Sequence, residues 1–279
     1  MQKKSFILLL ILNALIGVLS CEKEVKWNAP TSDSHQLVVE GILTNELKNQ
    51  IIILSYSKNN LNDVSTKVSN ATVKVKSGDE TYKFINIDSL PGYYFSEKPF
   101  AASVSKTYYL QVSLNGNIYT ASTQMTAIHP TPELIVAPNE DSSYFQINYV
   151  CSNYSPDEEA LYEIQIFADT IISSTDTCAK ALQYYYTFNT VDIGEIFAPD
   201  RPALLFDSSA VIIERKYSLT PDYADFVRAM ISETQWQGTF FSEFPANMPS
   251  NLSNGALGYF TACTVQSDTI EIKKVLLNQ

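Results

Sequence analysis

The side chains able to do chemistry are few and scattered in this sequence. There are two histidines, His35 and His129, and four cysteines, Cys21, Cys151, Cys178 and Cys263. Neither histidine falls in a spacing that builds a catalytic triad or a zinc site. The phosphate-cradling, zinc-protease, nucleophile-elbow and redox dithiol motifs are missing. The densest acidic run is Asp157-Glu158-Glu159. It lacks the alternating oxygen ligands and the glycine of a calcium loop, so it reads as a solvated turn. A glycosidase needs only two carboxylates in a cleft, and no pair stands out. The expectation is therefore no catalytic residue, no metal and no cofactor.

Cys21 is the exception. Lys3 and Lys4 give a positive start, and Phe6 to Leu19 is an apolar core broken only by Asn13, Gly17 and the small Ala14. That core is shorter than the roughly 20 apolar residues needed to cross a bilayer, and it has the size of a secretory signal. Val18-Leu19-Ser20-Cys21 resembles a bacterial lipobox. Such a signal is cut before the cysteine, whose thiol and new amine are then acylated. Three acyl chains on Cys21 would hold the protein firmly to a membrane, where one alone holds marginally. Glu22-Lys23-Glu24 resembles part of a surface-export tag. An outer-membrane, lipid-anchored location is expected, with the leaflet left open.

Cleavage removes residues 1–20, leaving 259 of the 279 residues; with Lys3 and Lys4 gone and no acid lost, the formal charge falls from −11 to −13. That disfavours nucleic acid, which rewards basic patches, and unaided adhesion to anionic lipid. The three remaining cysteines would sit in an oxidising compartment, where one pair can bridge. Cys151 with Cys178 is the expected pair, because both flank one predicted hairpin.

The elements that must position these residues are mostly strands. The 17 tyrosines and 14 phenylalanines favour them. Residues 36–128 alternate with period two in about seven short segments, predicting an immunoglobulin-like or prealbumin-like β-sandwich. In Thr107–Leu114, the residues Tyr108, Leu110, Val112 and Leu114 share one face, and Asn115-Gly116 is a two-residue hairpin turn. Residues 21–35 read as a tether, and the proline-stiffened stretch 127–132 as a linker.

Residues 129–279 predict a second β-rich domain with one amphipathic helix over 221–237. Thr220 caps it, and Tyr223, Phe226, Val227, Met230 and Ile231 repeat at helical spacing. Leu257–Val265 and Thr269–Leu276 predict a terminal hairpin. The runs Tyr93-Tyr94-Phe95 and Tyr184-Tyr185-Tyr186 read first as core and cross-strand packing. Trp236, Phe240, Phe241 and Phe244 lie in a long loop and are the candidate partner surface.

Further residues carry a likeness. They are Leu37-Val38-Val39-Glu40-Gly41-Ile42-Leu43-Thr44, Ala71-Thr72-Val73-Lys74-Val75, Gly92-Tyr93-Tyr94 and Tyr223-Ala224-Asp225-Phe226. The set continues through Phe240-Phe241, Pro245-Ala246-Asn247, Asn251-Leu252-Ser253-Asn254 and Ala256-Leu257-Gly258-Tyr259-Phe260-Thr261-Ala262. Together they resemble the Bacteroidota lipoprotein family called domain of unknown function 4249. The departures are Ser242-Glu243, where a more basic stretch is expected, and the looser region around Cys151 and Cys178. The resemblance implies a cell-envelope lipoprotein partnering a TonB-dependent outer-membrane receptor, and it brings no catalytic residues. The leading expectation is a non-enzymatic accessory that binds such a receptor or a peptide or glycan nutrient. A structural or adhesive surface protein is the alternative, and a hydrolase with a concealed carboxylate pair is a third.

Overall fold

The computed structural model describes residues 35–58, 63–131, 134–139, 143–149, 154–173, 176–190, 203–234 and 248–273. Residues from His35 onward cluster as one unit. The protein is mainly β, with two curled sheets and one described helix.

The alternating segments of the first half all form strands: β1 (Leu37–Thr44), β2 (Ile51–Tyr56), β3 (Thr72–Ser77), β4 (Glu80–Ile87), β5 (Leu90–Ser96), β6 (Thr107–Leu114) and β7 (Asn117–Gln124). Their inward rows meet in one core that includes Val39, Leu54, Val75, Tyr94 and the predicted face Tyr108, Leu110, Val112 and Leu114. Asn115 and Gly116 turn β6 into β7 with φ of 51° and 82°, the left-handed pair that this hairpin turn requires.

The second half supplies β8 (Ile135–Pro138), β9 (Phe145–Tyr149), β10 (Ala160–Ile172), β11 (Thr177–Thr187), β12 (Leu205–Phe206), β13 (Val211–Ser218), α1 (Pro221–Thr234), β14 (Leu257–Cys263) and β15 (Val265–Glu271). The predicted terminal hairpin does not form. β14 pairs in parallel with β1, while β15 pairs antiparallel with β13. Thr264 alone separates the two strands, fewer than the two residues of the tightest common hairpin loop. The chain instead steps from one sheet to the other.

The first sheet therefore runs β14-β1-β2-β5-β4-β3-β6-β7, and the second β15-β13-β10-β12-β9-β8 with β11 on β10. The linker region around residue 128 marks where the chain changes sheets, yet β14 returns to complete the first. The linker is pinned: Thr126 O accepts from Ser218 Oγ, and Thr131 N donates to Gln266.

The first sheet curls until its end strands approach. Between β7 and β14, residues 250–256 stitch the two edges with side chains where a strand would use its backbone. Asn251 Nδ2 donates to Phe260 O at 2.7 Å and its Oδ1 accepts from Phe260 N. Ser253 Oγ accepts from Thr120 N at 2.8 Å, and Asn254 Nδ2 donates to Ile118 O. Exposed edge groups are thus paired, which removes a template for aggregation.

Thr220 caps α1, its Oγ1 accepting from Tyr223 N. The buried stripe Tyr223, Ala224, Val227 and Ile231 packs on Tyr186 and Tyr184 of β11 and on Tyr259 and Cys263 of β14. Burial pushes the Cys263 thiol up to about 12, so it is a packing residue rather than a nucleophile. The helix is described to Thr234, so its predicted end at 237 lies outside the described residues. The sheets are also joined by an ion pair from Arg215 of β13 to Glu46 after β1, at 2.5 Å. Burial opposes ionisation of Glu46, but the Lys48 hydrogen bond and the Arg215 charge outweigh it and hold its carboxyl below the usual range.

Candidate functional site

Alternation puts one row of each first-sheet strand into the core and the other on the outer face. A sheet face open to water ordinarily reads polar. Here half of it is apolar. Ile85 on β4 lies opposite Phe95 on β5, and Phe95 lies opposite Ile51 on β2. Ile53 lies between Tyr93 and Glu40. Ile42, Ile51, Ile85, Ile87 and Leu90 are 37–52 % exposed. Scattered apolar residues on a surface need no explanation, but these are neighbours across strands and form a continuous band. Lys67 sits 5.6 Å over the Tyr93 ring at its margin.

The other half of the face, across β3, β6 and β7, is polar and holds a cleft of about 590 Å³. Two registered rows cross it: Lys74–Gln111–Thr120 and Lys76–Tyr109–Ser122. Residues 250–253, the stitching segment, form its wall. Tyr109 is 55 % exposed. Sequence reasoning missed both halves. The signals were present: Ile51-Ile52-Ile53-Leu54 is apolar on both faces, and Thr72-Val73-Lys74-Val75-Lys76 places lysines on two of its three outward positions.

Cys21, Cys151, Trp236, Phe240, Phe241 and Phe244 lie outside the described residues. Cys178 stands in β11 as an exposed free thiol. The aromatic runs divide as alternation requires. Tyr94 is buried and accepts from Ala71 N, while Tyr93 and Phe95 face outward. Tyr184 and Tyr186 pack under α1 and Tyr185 on the opposite face.

The acidic run is not a solvated turn. Only Asp157 is exposed. Glu158 holds Lys216 of β13 and the backbone N–H of His129. Glu159 is buried, 3.5 Å from Arg228 of α1, and accepts from Asn189 N. Burial holds its carboxyl above the usual range against those two contacts. The expectation of a turn failed because two cations distant in sequence, the buried Lys216 and the half-buried Arg228, supply partners for adjacent glutamates.

A carboxylate pair that the sequence concealed joins β13 and β15, where Glu214 lies directly opposite Asp268. Burial pushes the Glu214 carboxyl up to about 7, Asp268 adds to the rise, and Lys216 opposes it. The folded state then holds a proton that the unfolded chain releases near pH 4.5. Its contribution is neutral below that pH, falls as pH rises to about 7, and is a full penalty above. Glu214→Gln should flatten this slope and stabilise the protein by about 3 kcal/mol at pH 8. Thermal melts from pH 4 to 8 check it; parallel curves for the two proteins refute it.

The residues carrying the family likeness mainly build the closure of the first sheet: β1, the 250–256 stitching and β14. No curated protein is similar enough to match. The description "Domain of unknown function (DUF4249)" matches residues 22–269, most of the chain, and the protein belongs to that family.

Proposed function

We propose that this protein is a lipid-anchored, non-enzymatic accessory of the cell envelope that docks on a TonB-dependent outer-membrane receptor and serves nutrient binding or uptake. The observation that carries the reading is the apolar half of the first sheet's outer face, with Ile85, Phe95 and Ile51 in register. Burying such a band yields roughly 25 cal/mol per Å² of apolar area. The margin lysines Lys67 and Lys83 give the band a charged rim of the kind that fixes orientation. Acyl chains on Cys21 are the anchor that holds the face near a membrane partner.

The test is affinity purification of the full chain from detergent-solubilised membranes, with co-purifying proteins identified by mass spectrometry. A TonB-dependent β-barrel should accompany the wild type. Ile51→Glu with Ile85→Glu should reduce its recovery at least tenfold while leaving the melting temperature within a few degrees, since both side chains face solvent. Cys21→Ser should leave the protein unlipidated and outside the membrane fraction. Recovery of the wild type without a barrel, or equal recovery by the double variant, overturns the docking.

A further inference from the structure

We infer that the cleft across β3, β6 and β7 binds an acidic polysaccharide, a chain of uronate or sulfated sugars. This goes beyond the docking proposal and stands without it, because the cleft occupies the other half of the outer face.

The lining has three features of such a site. First, it is cationic in a chain of formal charge −11. Lys74 and Lys76 sit two apart on β3, both outward, so their Cα atoms are about 7 Å apart along the strand. Neither takes part in the ion pairs of the described residues. Both ammonium groups are available to an anion arriving from solution, and their spacing suits successive acidic groups on an extended chain. Second, Tyr109 stands in the Lys76 row, mostly exposed. An exposed aromatic ring offers an apolar body and a polar tip, which suits the mixed C–H and hydroxyl faces of a sugar. Third, Gln111, Thr120 and Ser122 complete the rows with amide and hydroxyl groups that both donate and accept. A sugar's hydroxyls need both.

An acidic peptide is the poorer fit. Extended peptides bind by adding a strand to a free edge, but the nearby β7 edge is occupied: Thr120 N donates to Ser253 Oγ, and Ile118 O accepts from Asn254. The cleft presents side chains instead. Its volume, about 590 Å³, lies in the range of small-ligand sites, enough for a few sugar units of a longer chain.

The experiment uses the purified full chain in detergent and affinity gel electrophoresis, with polygalacturonate, chondroitin sulfate and neutral dextran as probes. At least one acidic polymer should retard the wild type, dextran should not, and added salt should weaken the retardation. Lys74→Ala with Lys76→Ala should weaken binding at least tenfold, and Tyr109→Ala about fivefold. All three side chains face outward, so circular dichroism should show the fold intact. Indifference to both acidic polymers overturns the proposal, as does equal retardation by dextran or unchanged binding by the lysine variant. Equal affinity for a dT oligonucleotide also overturns it, in favour of a general polyanion surface. No receptor is present in this assay, so its failure and that of the docking proposal are separable.

Discussion

Gly258→Ala should prevent the protein from accumulating in folded form, or should lower its melting temperature by on the order of 10 °C or more. Gly258 opposes Val39 in the parallel ladder between β14 and β1. Its φ is +89°, and an added Cβ would lie 2.1 Å from Val39 O. That distance is far inside contact, and the obstacle is backbone in the middle of a sheet, which cannot step aside. Left-handed strain alone costs about 1–3 kcal/mol, and the clash carries the total beyond about 4 kcal/mol. Gly78 is the control. Its φ is +58° with nothing within 4 Å of the added carbon, so Gly78→Ala should cost only the strain, about 1 kcal/mol. Paired thermal melts decide the matter. A Gly258→Ala protein melting within about 2 °C of the wild type would mean that β14 does not pair with β1 as described.

Glu158→Gln should cost about 3–5 kcal/mol, because it strips the charge partner from a lysine that has no escape to water. Lys216 is 2 % exposed. Its ammonium donates to Glu158 and to His129 O and lies 5.5 Å from the Tyr162 ring. The glutamine keeps an acceptor for His129 N–H, so the loss reports the charge. Lys216→Met removes the buried cation as well, and the double variant should recover much of the loss. A double-mutant cycle by denaturant titration should show a coupling of at least about 1.5 kcal/mol. Additivity within about 0.5 kcal/mol would contradict a buried ion pair between these residues.

Local pattern carried the elements well and their assembly poorly. The period-two rows of β1 to β7 and the cap at Thr220 were legible because each rests on residues adjacent in sequence. The inward rows of β6 and the split of the tyrosine runs followed from strand geometry alone. β8 and β12 were missed, being only four and two residues long, and β11 begins in the non-alternating Thr177–Leu182. The hairpin expected at the C-terminus was wrong because periodicity says where strands are and not what they pair with. Lys216, Arg228 and Asp268 could not be matched to Glu158, Glu159 and Glu214 from one sequence for the same reason. The outer-face cleft was hidden likewise, since its two rows come into register only through the pairing of β3, β6 and β7.

The parallel match of β14 to β1 also bears on how the molecule is made. Asn45, just after β1, and Val265, just after β14, are 220 residues apart and joined by a hydrogen bond of 2.8 Å. Contacts of such long range close late and slow the search for the native state. A chain emerging from the ribosome or a membrane channel presents β1 long before its last neighbour exists. For that interval one edge of β1 stays open and the pocket destined for Phe260 is unfilled. Growing fragments should therefore need a holding chaperone, and molecules truncated before residue 257 should be cleared by proteases.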